Sequence, residues 1–292
     1  MSRSLRIYLS LLLVVLLAWF WFRASAIAEF IYGPNLAGLL GVILLYLCSH
    51  LFRMLRLVLL TLDEREKAFP LIAAHALTAF PSGFLPFKIG EILRLAAFFY
   101  VYDRRRKAFA IWLNERFGDM LVISSFIFCL YIFKVNVPPP MHFVLITFLL
   151  ITAIGLMSLF AVAKVFVYLN RHLVLASHSK RGLTILRINH VLRQLELDIY
   201  KSVKGRFLGL ILLSVLIWGI EILALSLFIK QFSIGEPDFA ALFVTGLLGS
   251  LPGGSAVGAS SFGLYQSLAL VALILLFSVA YWLTGRFKFL RS

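Results

Sequence analysis

The 292-residue sequence predicts an all-α polytopic integral membrane protein, with about six spans plus two re-entrant broken-helix hairpins, or about eight spans. Three observations predict it. Mean hydropathy is +0.98, with only 14% of residues charged. Several apolar runs reach the about 20 residues a helix needs to cross the hydrocarbon core. Two further apolar segments are interrupted: residues 79–95 by Pro81, Gly83, Pro86 and Gly90, and residues 239–262 by Gly246, Gly249, Pro252, Gly253, Gly254 and Gly258. Lipid offers no partner to backbone groups freed at such breaks, so a broken helix at membrane depth must be buried in protein or line a polar cavity. Pro86 and Gly90 are the expected hinges of the first hairpin, and Pro252, Gly253 and Gly254 those of the second. Most of the chain is consumed by spans, which leaves no room for a soluble catalytic domain. Residues 1–292 therefore read as a single transmembrane domain, within which 170–206 is a basic connector.

Taken in order, the first apolar run covers residues 5–22 after Arg3 and Arg6. Ala24-Ser-Ala26 resembles a cleavage site, but the run exceeds the roughly 7–15 residues of a signal core and Arg23 follows directly, so an uncleaved span is expected. Residues 37–62 form the second span and end at Asp63-Glu-Arg-Glu-Lys67; the broken segment 70–102 follows, then Asp103-Arg-Arg-Arg-Lys107. The net charge is +15, from 28 Lys and Arg against 13 Asp and Glu, and most of the surplus lies between or beyond the apolar runs. Positive-inside counting places the N-terminus, 104–107, 170–206 and 286–291 on the cytoplasmic side, and the base-poor linkers 23–35, 134–141 and 231–238 outside. These assignments agree only if 70–102 enters and leaves from the cytoplasm, and 239–262 starts and ends outside. Two hairpins from opposite faces are what an inverted repeat produces, with a substrate site where their tips meet near the midplane. Full spans in place of each hairpin leave the loop sides unchanged. Residues 170–206 carry Leu183, Leu186, Val191, Leu195 and Ile199 among Lys180, Arg181, Arg187, Arg193, Lys201 and Lys204, which predicts a basic amphipathic helix on the cytoplasmic leaflet. Anionic membrane lipids are the partners this charge suits; nucleic acid is not expected, because no soluble basic domain is present. Cys48 and Cys129 sit in apolar runs and read as small hydrophobes.

Nine ionisable residues fall within or beside the apolar segments: Arg53, Arg56, Lys88, Glu91, Arg94, Glu115, Arg116, Asp119 and Glu221. At about 3 kcal/mol each they are too costly to face lipid, so they must point inward and pair. His50, Arg53 and Arg56 share one helix face at i, i+3 spacing; Glu115 and Asp119 share another at i, i+4; and Lys88, Glu91 and Arg94 repeat at i, i+3 around the break. Glu91 is expected to pair with Arg94 or with an arginine of the second span. Five bases against four acids leave one positive charge over, which suits a phosphate or another anionic headgroup held by arginine forks. Glu221 stands alone in its span, and is either a proton carrier or the partner of an arginine. His50 and His75 read as packed or hydrogen-bonded side chains.

No metal-ligand spacing, nucleotide loop or nucleophile elbow is present, so no cofactor, metal or catalytic residue is assigned and the chain is not read as an enzyme. Leu85-Pro-Phe-Lys-Ile-Gly-Glu-Ile-Leu-Arg94, followed by Asn114-Glu-Arg-Phe-Gly-Asp119, resembles the two-part motif of the flippase-like membrane domain found in lysylphosphatidylglycerol synthases and as stand-alone proteins. His50 to Arg56 resembles that family's arginine-bearing second span. The resemblance covers nearly the whole chain and implies a helical fold with re-entrant segments in a prokaryotic cytoplasmic (inner) membrane. It also implies a role in moving a lipid or lipid-linked sugar between leaflets. The family's C-terminal pattern differs here: Leu251-Pro-Gly-Gly-Ser-Ala-Val-Gly leads to Gln266 where a glutamate is expected. The resemblance does not extend to the synthase domain, so lipid aminoacylation is not implied. The alternative is a non-transporting accessory protein that supports a membrane-bound synthase or glycosyltransferase through its basic helix.

Overall fold

The computed structural model describes residues 36–84, 89–134, 139–176, 180–232 and 259–286, and the single positions 11, 12, 14, 17 and 21. The first expected span therefore falls almost wholly outside the described residues. Residues 239–258 of the second hairpin do so too, and with them Pro86, Lys88, Pro252, Gly253 and Gly254.

Among the described residues all regular structure is helical: α1 (Leu36–Leu60), a 3-10 turn (Leu62–Glu64), α2 (Arg65–Phe84), α3 (Ile89–Val101), α4 (Arg105–Ile132), α5 (Pro139–Ala176), α6 (Lys180–Val203), α7 (Phe207–Phe232) and α8 (Ala259–Arg286). Leu36–Leu60 and Phe207–Gln231 are each long and apolar enough to cross a bilayer by length and composition. They lie against each other in opposite directions. Leu39, Val42 and Ile43 at the start of α1 pack with Phe228 near the end of α7, and with Leu268 and Ala272 of α8. Near the other end, a Cβ on Gly209 would stand 3.0 Å from Leu59 Cδ2, so the missing side chain lets the two helices close.

The broken segment begins its helix at Arg65, five residues before the expected start at residue 70, and carries both Pro70 and Pro81 inside it. Arms α2 and α3 run antiparallel. Leu71 and Phe98 share one cluster with Leu57, Leu60, Ile111 and Leu210, and near the tip Ser82 Oγ donates to Gly90 O at 2.9 Å. At the base Lys67 stands 4.0 Å from Asp103, so both ends of the hairpin return to one end of the bundle. The same end gathers the other polar turns. Asp63 bonds to Arg206, Glu64 to Lys107, and Arg106 Nε donates to Asp198 at 2.5 Å. Of the segments that charge counting puts on one side, 104–107 and the end of 170–206 are thus tied to each other and to the 63–64 turn by ion pairs. Gly205 turns the chain from α6 into α7 at φ +74, a conformation that favours glycine.

The Arg206 hydrogen bond holds the Asp63 carboxyl below the usual carboxylate range. A lowered folded value means that this contact adds stability above the unfolded value and loses it as pH falls through the folded one. Acidification, and not alkaline pH, should release the α1–α2 turn from the α6–α7 turn; an Asp63→Asn variant should remove that acid dependence in a pH series of melting temperatures.

Helix α5 runs through Ala176, so residues 170–176 belong to it and the basic helix starts at Lys180. On α6, Leu186, Leu195 and Ile199 are half-buried while Leu183 and Val191 are exposed. The predicted apolar set is therefore split, because the helix rests on α4 and α5 with only part of its surface. The polarity of the whole molecule is inverted relative to a protein packed in water. Leu44, Phe143 and Leu208 are 64%, 76% and 81% exposed, whereas Arg56, Arg94, Glu115 and Asp119 are buried. Lipid solvates such a surface; water does not. This is an integral membrane protein.

Candidate functional site

The stripe on α1 reaches three other helices. Arg56 is completely buried, and its fork grips Asp119 of α4: Nη1 donates to Oδ1 at 2.6 Å and Nη2 to Oδ2 at 3.2 Å. Nη1 also donates to Ser214 Oγ of α7 at 2.8 Å, and Nη2 lies 3.5 Å from Glu115 Oε1. Glu115 is chiefly the partner of Arg94, whose Nη2 donates to its two oxygens at 2.8 and 2.6 Å. The Arg94 guanidinium lies 5.4 Å over the Phe98 ring, one turn along α3. Arg53 Nη2 donates to Glu221 Oε1 of α7 at 2.6 Å, and Ser49 Oγ donates to the same oxygen at 3.1 Å. Glu221 thus has an arginine partner in its apolar span. Arg116 Nη2 donates to Glu91 Oε2 at 2.6 Å, and its Nη1 stands 3.5 Å from Asp119.

The expected faces hold. His50, Arg53 and Arg56 act from one side of α1, and Arg56 reaches both Glu115 and Asp119, as their four-residue spacing on α4 requires. The partner expected for Glu91 does not. It pairs with Arg116 of α4 and not with Arg94 or a second-span arginine, while Arg94 takes Glu115. Positions 115 and 116 are adjacent and diverge by about 100° around α4, so each meets a different residue of the facing arm. The expected surplus of positive charge rested on Lys88, which lies outside the described residues. The described network balances four arginines against four carboxylates.

Burial divides these pairs. Arg56, Glu115, Arg94 and Asp119 keep 6% or less of their side-chain surface, whereas Arg53 and Glu221 retain 13% and 18%, and Arg116 and Glu91 26% each. The inner pairs are sealed; the outer two open outward. Sequence reasoning missed the neutral donors that complete the network. Trp218 Nε1 donates to Asp119 Oδ1 and Trp112 Nε1 to Glu91 Oε2, both at 3.3 Å. Ser214 was detectable as a lone hydroxyl in an apolar run. Gly118 admits it, since a Cβ there would stand 2.7 Å from Ser214 Oγ. Beside the network, His50 Nδ1 lies 3.3 Å from His75 Nε2 of α2, with both rings buried.

The family model described as the lysylphosphatidylglycerol synthase TM region matches residues 7–285. The chain belongs to this family. No curated protein and no solved structure matches it. Within a lysylphosphatidylglycerol synthase TM region, the motif residues Glu91, Arg94, Glu115, Arg116 and Asp119 are thus not independent sites. Together with Arg56 they form one continuous set of contacts linking α1, α3 and α4, which Ser214 and Trp218 of α7 join, and the Arg53–Glu221 pair ties α1 to α7 beside it.

Proposed function

We propose that this protein is a flippase or scramblase-like transporter that moves an anionic lipid or lipid-linked sugar between leaflets, its headgroup phosphate passing among the network's arginines. The observation that carries this reading is a charge-balanced set of four arginines and four carboxylates beneath an apolar exterior, with Arg56, Arg94, Glu115 and Asp119 buried and the other four half-buried. Apolar packing can hold helices together as well as buried ion pairs do, so eight interior charges call for a use beyond cohesion. The outer guanidiniums of Arg53 and Arg116 meet the phosphate first. Arg56 and Arg94 follow as Asp119 and Glu115 exchange partners. The α2–α3 pair serves as the cytoplasmic re-entrant hairpin, hinged at Pro86 and Gly90, and residues 239–262 as its inverted counterpart, hinged at Pro252, Gly253 and Gly254. Both termini face the cytoplasm of a prokaryotic inner membrane. With no nucleotide motif, movement is passive or driven by an ion gradient.

Proteoliposomes carrying fluorescent anionic or zwitterionic lipid test this. Arg53→Lys and Arg116→Lys keep the charge but lose the fork, so each should slow anionic lipid movement about tenfold, the worth of one charge-assisted hydrogen bond, at near-parental yield. Parental rates in both variants, or no movement by the parent above empty vesicles, would favour the accessory role. Leu183, Ile188 and Val191, exposed on α6, offer that role a surface for a membrane-bound synthase or glycosyltransferase.

A further inference from the structure

The His50–His75 pair takes no part in the ion-pair network, yet it is buried beside it. His75 is 2% exposed and His50 7%, and their ring nitrogens stand 3.3 Å apart between α1 and α2. His75 Nδ1 is buried with no hydrogen-bond partner. With His75 Nε2–H donating to His50 Nδ1, His75 Nδ1 carries a bare lone pair, free to take a proton. Two imidazolium rings at this separation would repel strongly, so the pair holds one proton and not two. The charged groups facing it are Arg53 and Arg56 on α1 and Arg94 on α3. The Tyr46 ring leans on His50 at 5.3 Å, and Glu221 of α7 and Tyr265 of α8 face Tyr46 and Arg53 from the other side.

We propose that the His50–His75 pair is a proton-binding site that couples one proton to each anionic headgroup moved. This inference rests on the transport reading above. The described network is neutral as it stands, so a phosphate monoanion among Arg53, Arg56 and Arg94 leaves one negative charge over in the interior. Such an uncompensated charge is expensive away from water. A proton added at His75 Nδ1 restores the balance, with Nε2–H still donating to His50. When the headgroup leaves, the same proton departs to the side on which it is released. Histidine is suited to this because its neutral ring keeps a basic nitrogen, and the headgroup's negative charge offsets that of the arginines facing the pair. Net movement is then electroneutral: one anion and one proton in the same direction.

The test uses the full chain in vesicles of phosphatidylcholine with a trace of fluorescent phosphatidylglycerol and a pH dye inside. A dithionite quench reads the leaflet distribution. Under one-to-one coupling, a gradient of one pH unit should drive about a tenfold asymmetry of the anionic lipid between leaflets, and the dye should report proton entry with it. His75→Gln retains a side-chain N–H that can reach His50 but cannot take the proton. It should abolish the asymmetry and the dye signal while lipid still equilibrates. His75→Asn, a smaller side chain equally unable to take the proton, serves as the second variant should His75→Gln fold poorly, with the same loss of asymmetry and dye signal expected. Lipid movement by the parent that ignores the gradient, or a His75→Gln variant as gradient-sensitive as the parent, overturns the coupling and leaves the transport reading standing. No lipid movement by the parent overturns both.

Discussion

Glu115→Leu should be among the most damaging single substitutions in the chain. Glu115 has no exposed surface; it receives both bonds from the buried Arg94 and lies within 3.5 Å of Arg56. Removing one partner of a buried pair leaves the other charge uncompensated, at a cost of about 3–5 kcal/mol. That is a large share of the about 5–15 kcal/mol by which a typical domain is stable. Arg56 keeps Asp119 and Ser214, so the damage should centre on Arg94. The measurement is a thermal melt in detergent beside the double variant Arg94→Met, Glu115→Leu. The single variant should melt far below the parent, and the double should recover most of the loss, because apolar side chains of similar volume can replace a buried ion pair. A single variant that melts with the parent would mean that Arg94 is not dependent on Glu115.

Gly90→Ala should break the hairpin. Its Cβ would stand 2.1 Å from Ser82 Cα and 2.9 Å from Pro81 O, and backbone cannot yield as a side-chain tip can. Overpacking costs about 1–3 kcal/mol where side chains can shift, so this substitution belongs at or above the upper end. Parting the arms also removes the Ser82–Gly90 hydrogen bond and weakens the packing of Phe98 on Leu71 further down. Yield and melting temperature should both fall. A Ser82→Ala variant, which loses only the hydrogen bond, should cost about 1 kcal/mol. Equal stabilities for Gly90→Ala and the parent would show that the arms are further apart than this.

The sequence made these inward faces legible because charges in apolar helices have few places to go. Residues three or four apart on one helix look the same way, so the α1 stripe and the Glu115–Asp119 pair were readable from spacing alone. The partner of Glu91 was not. Spacing along a helix says nothing of which neighbour faces it, and Arg116 differs from Glu115 only by one step around α4. The role of Gly118 was equally hidden, since it lies in how closely α4 approaches Ser214 of α7. Turn pairing was foreshadowed by charge asymmetry, which groups loops by side but does not say that Asp63 meets Arg206 or that Glu64 meets Lys107. The second hairpin's glycines and Pro252 lie outside the described residues.

The ion pairs that join the polar turns differ from those inside the bundle in how they meet the solvent. Asp103 is 99% exposed, Asp63 55% and Glu64 37%. Each such contact is worth about 0–1 kcal/mol and weakens as ionic strength rises. The Debye length shrinks from about 8 Å at physiological salt to about 3 Å at 1 M, while buried pairs are screened much less. Salt therefore acts on this protein from one end. In concentrated salt the base of the α2–α3 hairpin is untethered from the α4 and α7 turns, while Arg56 still holds Asp119. A protein purified in high salt and one kept in dilute buffer share an interior but differ in how freely the hairpin can tilt, and rates measured in the two belong to differently restrained molecules.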